Sequence, residues 1–409
     1  MADNRKLSSD LAIRMEQMHL HYFSDEEARN LRTQWADLSI RPEKPEVIEI
    51  ASGLIHNQNL SFTINNKAIV GVYDDHNNPV DASIRSRGAS EERGKEKKET
   101  RFDNFSIDDR VVYYLGVKAR HYGHFLLETL CRAWAWEERG DGKVPVIQMA
   151  PIKEFARSLY SLLPGLAERT EIVSTPTRYN SVIVPFPAFV IASAAHVEFK
   201  AMCVRMAQRA VDLDQKTTEQ PLYLSRAGLG LLAKRPIVDE LRIERFLEQQ
   251  GFHVIRPETL PVTEQIALIN KHKWIVAPQG SACHTRLFSI RPNNFLMFTL
   301  GKVNPNFALC DMLCEGETHY AKTISRPDLG VGMLKGFVPP VVLEEDKFLT
   351  FLKQFGLVRN NATFDSPPVD IVNYKRNWID AAKARAVKSK GNARLQKAIK
   401  TIEQSMTIS

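Results

Sequence analysis

The chain has 409 residues, of which 44% are hydrophobic and 25% charged. That length sets an expectation of two or three domains, and the composition excludes a disordered, collagen-like or coiled-coil protein. The net charge is +7, from 55 Lys+Arg against 48 Asp+Glu. Such a surplus points to nucleic acid, an anionic membrane or a phosphorylated substrate, depending on where it sits along the chain.

The opening residues, Met1 to Lys6, are polar, and no secretory signal is read there. The most apolar stretch, Ser181–Ala195, is short and interrupted by Pro185 and Pro187. A spanning helix needs about 20 apolar residues, so no transmembrane segment is expected. The cysteines, Cys131, Cys203, Cys283, Cys310 and Cys314, are scattered and odd in number, which favours reduced thiols over a disulfide framework. The expected compartment is the cytoplasm.

Residues 1–36 read as polar and helical. Val47-Ile48-Glu49-Ile50 and Ala68–Tyr73 read as strands, expected antiparallel. Residues 84–101 are charged and poor in apolar groups, as in a solvated loop. From residue 111 the pattern changes. Val111–Val117 is an apolar strand, a helix follows over about 123–138, and Val144–Met149 and Ile152–Leu163 repeat the alternation. Strands near 171–174 and 181–185 lead to a helix near 196–213. After a break at 214–221 the alternation restarts. Strands at 222–225, 253–255, 274–277 and 295–299 are separated by helices at 237–250, 263–271 (capped by Thr263) and 281–290. Short buried strands alternating with such helices predict parallel sheets built from βαβ units. The expected fold is α/β with two Rossmann-like domains facing a cleft, ligands lying at the carboxyl ends of the strands. The expected boundaries are an N-terminal helical and β extension over 1–110, a first domain over 111–218, a second over 219–365 and a basic helical tail over 366–409.

Two motifs are discounted. Gly228-Leu229-Gly230-Leu231-Leu232-Ala233 fits a dinucleotide fingerprint by letter, but Pro236 interrupts the helix that fingerprint needs. Asp212-Leu213-Asp214 lies at a polar helix end and not after a buried strand, so no metal site is read there.

Three constellations carry chemistry. His121-Tyr122-Gly123-His124-Phe125-Leu126-Leu127-Glu128 follows a buried strand and opens a helix, with Arg132 one turn on. His124, Glu128 and Arg132 are spaced by four and share a helix face. A histidine beside a carboxylate is a general-base arrangement; an exposed face with an ordinary Glu128–Arg132 ion pair fits the same spacing. Ser225-Arg226 ends a strand and is followed by Arg235 and Glu240, and the arginine fork suits phosphate oxygens. Gln279-Gly280-Ser281-Ala282-Cys283-His284 forms a tight turn from strand to helix, where free N–H groups favour an anion. His253 and His272 are isolated and read as structural.

In this order the three pieces resemble glycosyltransferase family 61. The carrying motifs are His121–Glu128, Tyr223-Leu224-Ser225-Arg226, Arg235-Pro236-Ile237-Val238-Asp239-Glu240 and Gln279-Gly280-Ser281-Ala282 with Phe288, across about residues 111–300. The resemblance implies a GT-B arrangement, with an acceptor on the N-terminal domain and a nucleotide-sugar donor on the C-terminal one. It also implies inversion at the anomeric carbon without an essential metal or other cofactor. Either His124 or Glu128 would be the base, with His121 nearby and Tyr122 and Arg132 in support. Arg226, Arg235, Glu240, Gln279, Gly280, Ser281 and His284 would serve the donor. Gln279 stands where the family carries His, and Ser281-Ala282 where it carries Ala-Gly. A version without a secretory signal resembles the bacterial branch that builds capsule and other surface polysaccharides on glycan or glycolipid acceptors. The other reading is a non-catalytic nucleotide- or glycan-binding protein that keeps the fold.

The charge has an address. Residues 375–400 hold nine basic residues against Asp380 alone, or +8, so the remainder of the chain is −1. A terminal basic helix with Trp378, Ile379 and Leu395 suits anionic inner-leaflet lipid, or packs back on the fold. No nucleic-acid module accompanies it, so nucleic acid is not an expected partner.

Overall fold

The computed structural model describes residues 15–56, 71–83, 105–117, 121–148, 152–230, 236–326, 340–367, 373–374, 376–380 and 383. Arg120, Arg235, the charged loop 84–101 and most of the basic tail lie outside the described residues.

The protein is mixed α/β with parallel sheets. β1 (Met18–His21) precedes the helix Asp25–Ala36, and β2 (Ser39–Arg41), β3 (Val47–Ala51), β4 (Leu54–His56) and β5 (Gly71–Tyr73) follow. β6 (Ser106–Val117), β7 (Val144–Gln148), β8 (Glu171–Val173) and β9 (Thr177–Pro185) form the next group. One sheet has the order β5-β4-β9-β6-β7-β8, with β3 also on β9. β6 pairs in parallel with β7 and β9, whereas β3, β4 and β5 join antiparallel, as the sequence suggested. β10 (Phe189–Val190) and β11 (Ala194–His196) make a small sheet with β2.

The second large sheet holds β12 (Leu222–Leu224), β13 (His253–Ile255), β14 (Trp274–Pro278), β15 (Asn294–Thr299) and β16 (Thr318–Lys322). Its order is β1-β16-β15-β14-β12-β13, and every pairing is parallel. β1 is therefore a strand where residues 1–36 read as helical. Its alternation, Met18-His19-Leu20-His21, has the period of a strand, and pairing with β16 supplies the buried partner. The helix after it begins at Ser24 and Glu27 in a reciprocal capping box. It buries Leu31 and Trp35, and Lys322 pairs with Glu27 at 2.7 Å. The first 110 residues thus contribute to both large sheets.

Strand alternation builds the core. Tyr113 and Leu115 on β6, Leu222 and Leu224 on β12, and Phe295 and Met297 on β15 join one apolar cluster. The helical segments Phe125–Thr129, Val197–Ala210 and Val262–Lys271 add to it. The opposite faces, Tyr223 with Leu296 and Val112 with Tyr114, join two further clusters. Burial of both faces explains the continuous apolar runs of these strands. The helix expected from Thr263 begins at Val262 after Pro261, and the segment expected as a helix over 281–290 is a 3-10 helix, Ser281–Phe288. All five cysteines are free and buried.

Candidate active site

The segment after β6 opens at His121, whose extended backbone precedes the helical turn Tyr122–His124. The next five residues, Phe125–Thr129, form a π-helix, and Leu130–Ala135 form a 3-10 helix. Mid-helix irregularity of this kind concentrates at functional positions. The His124 Nδ1 lies 2.8 Å from Glu128 Oε2. The His124 side chain is 44% exposed and that of Glu128 only 4%. A carboxylate only accepts, so Nδ1 carries the proton in this contact. The His121 ring stands 6.5 Å from that of His124.

Arg132 follows one turn on. Its guanidinium is buried and donates to the carbonyls of Ala82 and Pro185. It ties the helical run to β9 and the turn before residue 84, and burial lowers its pKa. Leu127, Glu128, Arg132, Pro187, Phe189, Val190 and Ile191 line a small pocket beside the dyad.

The same segment meets the β14 turn. A Cβ on Gly123 would lie 2.9 Å from Cδ2 of His284 and 3.3 Å from Cβ and Oγ of Ser281. The Tyr122 hydroxyl is 2.9 Å from Thr285 Oγ1, a contact that the motif spacing did not reveal. Ser281 is exposed at the start of the 3-10 helix. His284 points inward: its ring stacks on Phe307 at 4.5 Å, and Nδ1 is 3.5 Å from Cys310 Sγ. Burial, with His124 adding to it, pushes its pKa down to about 3, so the ring is neutral. Behind it Arg286, fully buried, pairs with Asp311 at 2.9 Å and bonds Asn293, which fixes the 3-10 helix to β16 and its approach.

Arg226 reaches the same turn. Its Cδ and Nε lie 3.3 Å from where a Cβ on Gly280 would be, so the glycine leaves room for the arginine stem. Glu240 Oε1 accepts from the Arg226 backbone N–H at 2.7 Å, the Tyr223 hydroxyl at 3.1 Å and the Ser225 hydroxyl at 3.3 Å. The carboxylate is buried, which raises its pKa, and it clamps the carboxyl end of β12 from within. Asp239 before it adopts φ +54°, an uncommon backbone for a non-glycine residue. Burial, then the charges of Glu240 and Asp239, push the Tyr374 pKa up to about 12. Nothing in the sequence links Tyr374 to the β12 end. Gln279, oriented to satisfy its neighbours, donates to the Lys302 carbonyl at 3.1 Å and accepts from the Asn304 N–H at 3.2 Å. Its side chain holds the loop after β15.

The carboxyl ends of β12 and β14 and the helix start after β6 therefore converge. Residues 122–296 match the family model Glycosyltransferase 61. The protein is a glycosyltransferase. The matched region begins at Tyr122, within the His124 turn, and ends in β15. No curated protein sequence matches the chain. Among solved structures, this glycosyltransferase is similar to the bacterial iron-containing dodecameric glycosyltransferase TibC from enterotoxigenic E. coli H10407. The identity is 9%, over 74% of this chain and 78% of that one, with a TM-score of 0.27; a superposition that loose places no residue. His253 and His272, read as isolated, meet with His253 Nδ1 3.1 Å from His272 Nε2, and His272 Nδ1 on the Gln220 carbonyl. They brace β13 outside the family site.

Proposed function

We propose that this glycosyltransferase moves a sugar from a nucleotide-sugar donor to a glycan or glycolipid acceptor, with inversion and without an essential metal, in surface-polysaccharide synthesis. The observation that carries the reading is the approach of Gly123 to Ser281, which sets the His124–Glu128 dyad beside the turn that Arg226 crosses. Residues 111–218 would present the acceptor and 219–365 the donor, in a GT-B arrangement.

In this reading His124 is the base and Glu128 a positioning residue. Nε2 takes the proton of an acceptor hydroxyl as that oxygen attacks the anomeric carbon. The bond from that carbon to the diphosphate oxygen breaks on the opposite face. Arg226 and the N–H groups at Ser281 meet the charge that develops on the leaving diphosphate. Supporting the choice of His124 is its exposure, since Glu128 is buried and already engaged. The test is release of free nucleotide from a panel of sugar nucleotides with an oligosaccharide acceptor, preceded by a thermal-shift screen for the donor. Acceptor-dependent release, unchanged by added magnesium or manganese, is expected. A donor that binds but never turns over would favour the non-catalytic reading.

Peripheral membrane association through 375–400 belongs to the same proposal. Among the described residues no helix is long and apolar enough to cross a membrane. Trp378 and Ile379 are buried, so lipid contact would rest on the basic residues beyond them. Deletion of 383–409 is expected to release the protein from anionic vesicles; unchanged binding would remove this part of the proposal.

A further inference from the structure

A second cluster of ligating side chains lies at the edge strand, away from the family site. β1 and β16 run parallel with His19 opposite His319 and His21 opposite Ala321. The His19 and His319 rings stack at 4.6 Å and 16°. His319 Nε2 is 3.1 Å from Glu317 Oε2, and its Nδ1 is 3.3 Å from His21 Nε2. Ligand atoms of His19, Glu317 and His319 all lie within 4.8 Å of one another. Phe351 and Phe355 close over the His21 and His319 rings.

We propose that His19, Glu317 and His319 bind one divalent zinc-like transition-metal ion that fastens the N-terminal strand β1 to β16. Two imidazoles and one carboxylate are a zinc donor set, in which water fills the fourth position. They do not suit magnesium or calcium, which take oxygen ligands. A tetrahedral zinc with bonds of about 2.0 Å sets its ligand atoms roughly 3.3 Å apart, so modest side-chain rotation closes the site. His21 completes the arrangement. With Nε2 of His319 on the metal, Nδ1 carries the proton and donates to His21 Nε2, the outer hydrogen bond that orients ligating histidines.

The ion would hold β1 to β16, with its fourth position open to water. Its ligands come from both ends of the chain and meet at the outer edge of the sheet, with β15 and β16 between β1 and β14. The site is thus separate from the proposed sugar transfer, and its test does not read turnover.

Tag-free full-length protein, stripped with chelator and dialysed, is titrated with zinc chloride by calorimetry and with cobalt chloride by visible absorption. One equivalent of each per chain is expected, with cobalt giving tetrahedral d–d bands. His19→Ala and Glu317→Gln should each weaken zinc binding by at least about tenfold. Both are more exposed than His319, and circular dichroism checks that they fold. Zinc should raise the thermal midpoint of the parent protein and raise it less in either variant. Absence of saturable binding, or equal binding in the parent and both variants, overturns the proposal.

Discussion

Gly123 lies against Ser281 and His284 so closely that a Cβ on the glycine would sit 2.9 Å from the His284 ring. That ring is held by its stack on Phe307 and cannot move aside freely. Gly123→Ala is therefore expected to destabilise the fold by about 1–3 kcal/mol, the usual cost of overpacking. It should also lower turnover by separating the His124 turn from the β14 turn. Urea unfolding and an initial-rate assay check both effects; a variant unchanged in both would mean that the contact is loose.

The dyad sets a division of labour between His124 and Glu128. His124→Ala removes the proposed base and should reduce kcat by about 10²–10⁴. Glu128→Gln keeps the size of the buried side chain and its reach to Nδ1 but removes the charge. A smaller loss in kcat, with the donor KM little changed, is expected. A Glu128→Gln loss confined to KM would assign the carboxylate to binding instead.

Arg226 and Gly280 are expected to act as a unit. Arg226→Ala should raise the donor KM roughly 10- to 100-fold, as for a lost charge-assisted contact to phosphate. Gly280→Ala puts a methyl group 3.3 Å from the arginine stem and should displace the guanidinium. Residues that share one contact give non-additive effects. The double variant should therefore be little worse than Arg226→Ala alone, and full additivity in the donor KM would separate the two positions.

Much of the site was legible because short motifs mark strand ends. His121–Glu128, Ser225-Arg226 and Gln279–Ser281 each follow an apolar strand, and the parallel sheets bring the last two to neighbouring carboxyl ends. The roles of individual side chains were less legible. Spacing by four placed Arg132 near Glu128, and both line one small pocket, but the pattern gave no sign that Arg132 donates to the Ala82 and Pro185 carbonyls. The resemblance gave Gln279 a donor role, and the pattern gave no sign of the bonds its amide makes to Lys302 and Asn304. The alternation in Met18–His21 was hidden within a polar segment, and its strand partner lies near the other end of the chain.

The buried His284 gives the fold a pH dependence whose sign follows from its environment. Desolvation holds its folded pKa at about 3, against 6.5 for the exposed ring. Between those values the unfolded chain binds a proton that the folded chain refuses, so stability falls as pH falls. The slope is about 1.4 kcal/mol per pH unit for one such histidine, or about 2 kcal/mol between pH 6.5 and 5. Above pH 6.5 both states are neutral there and the contribution vanishes. His284→Gln loses the stack on Phe307 and should be less stable at pH 7, yet its stability should decline less steeply toward pH 5. Urea midpoints at pH 7, 6 and 5 for both proteins provide the measurement. Parallel declines would show that His284 takes up its proton in the folded protein as readily as in the unfolded chain.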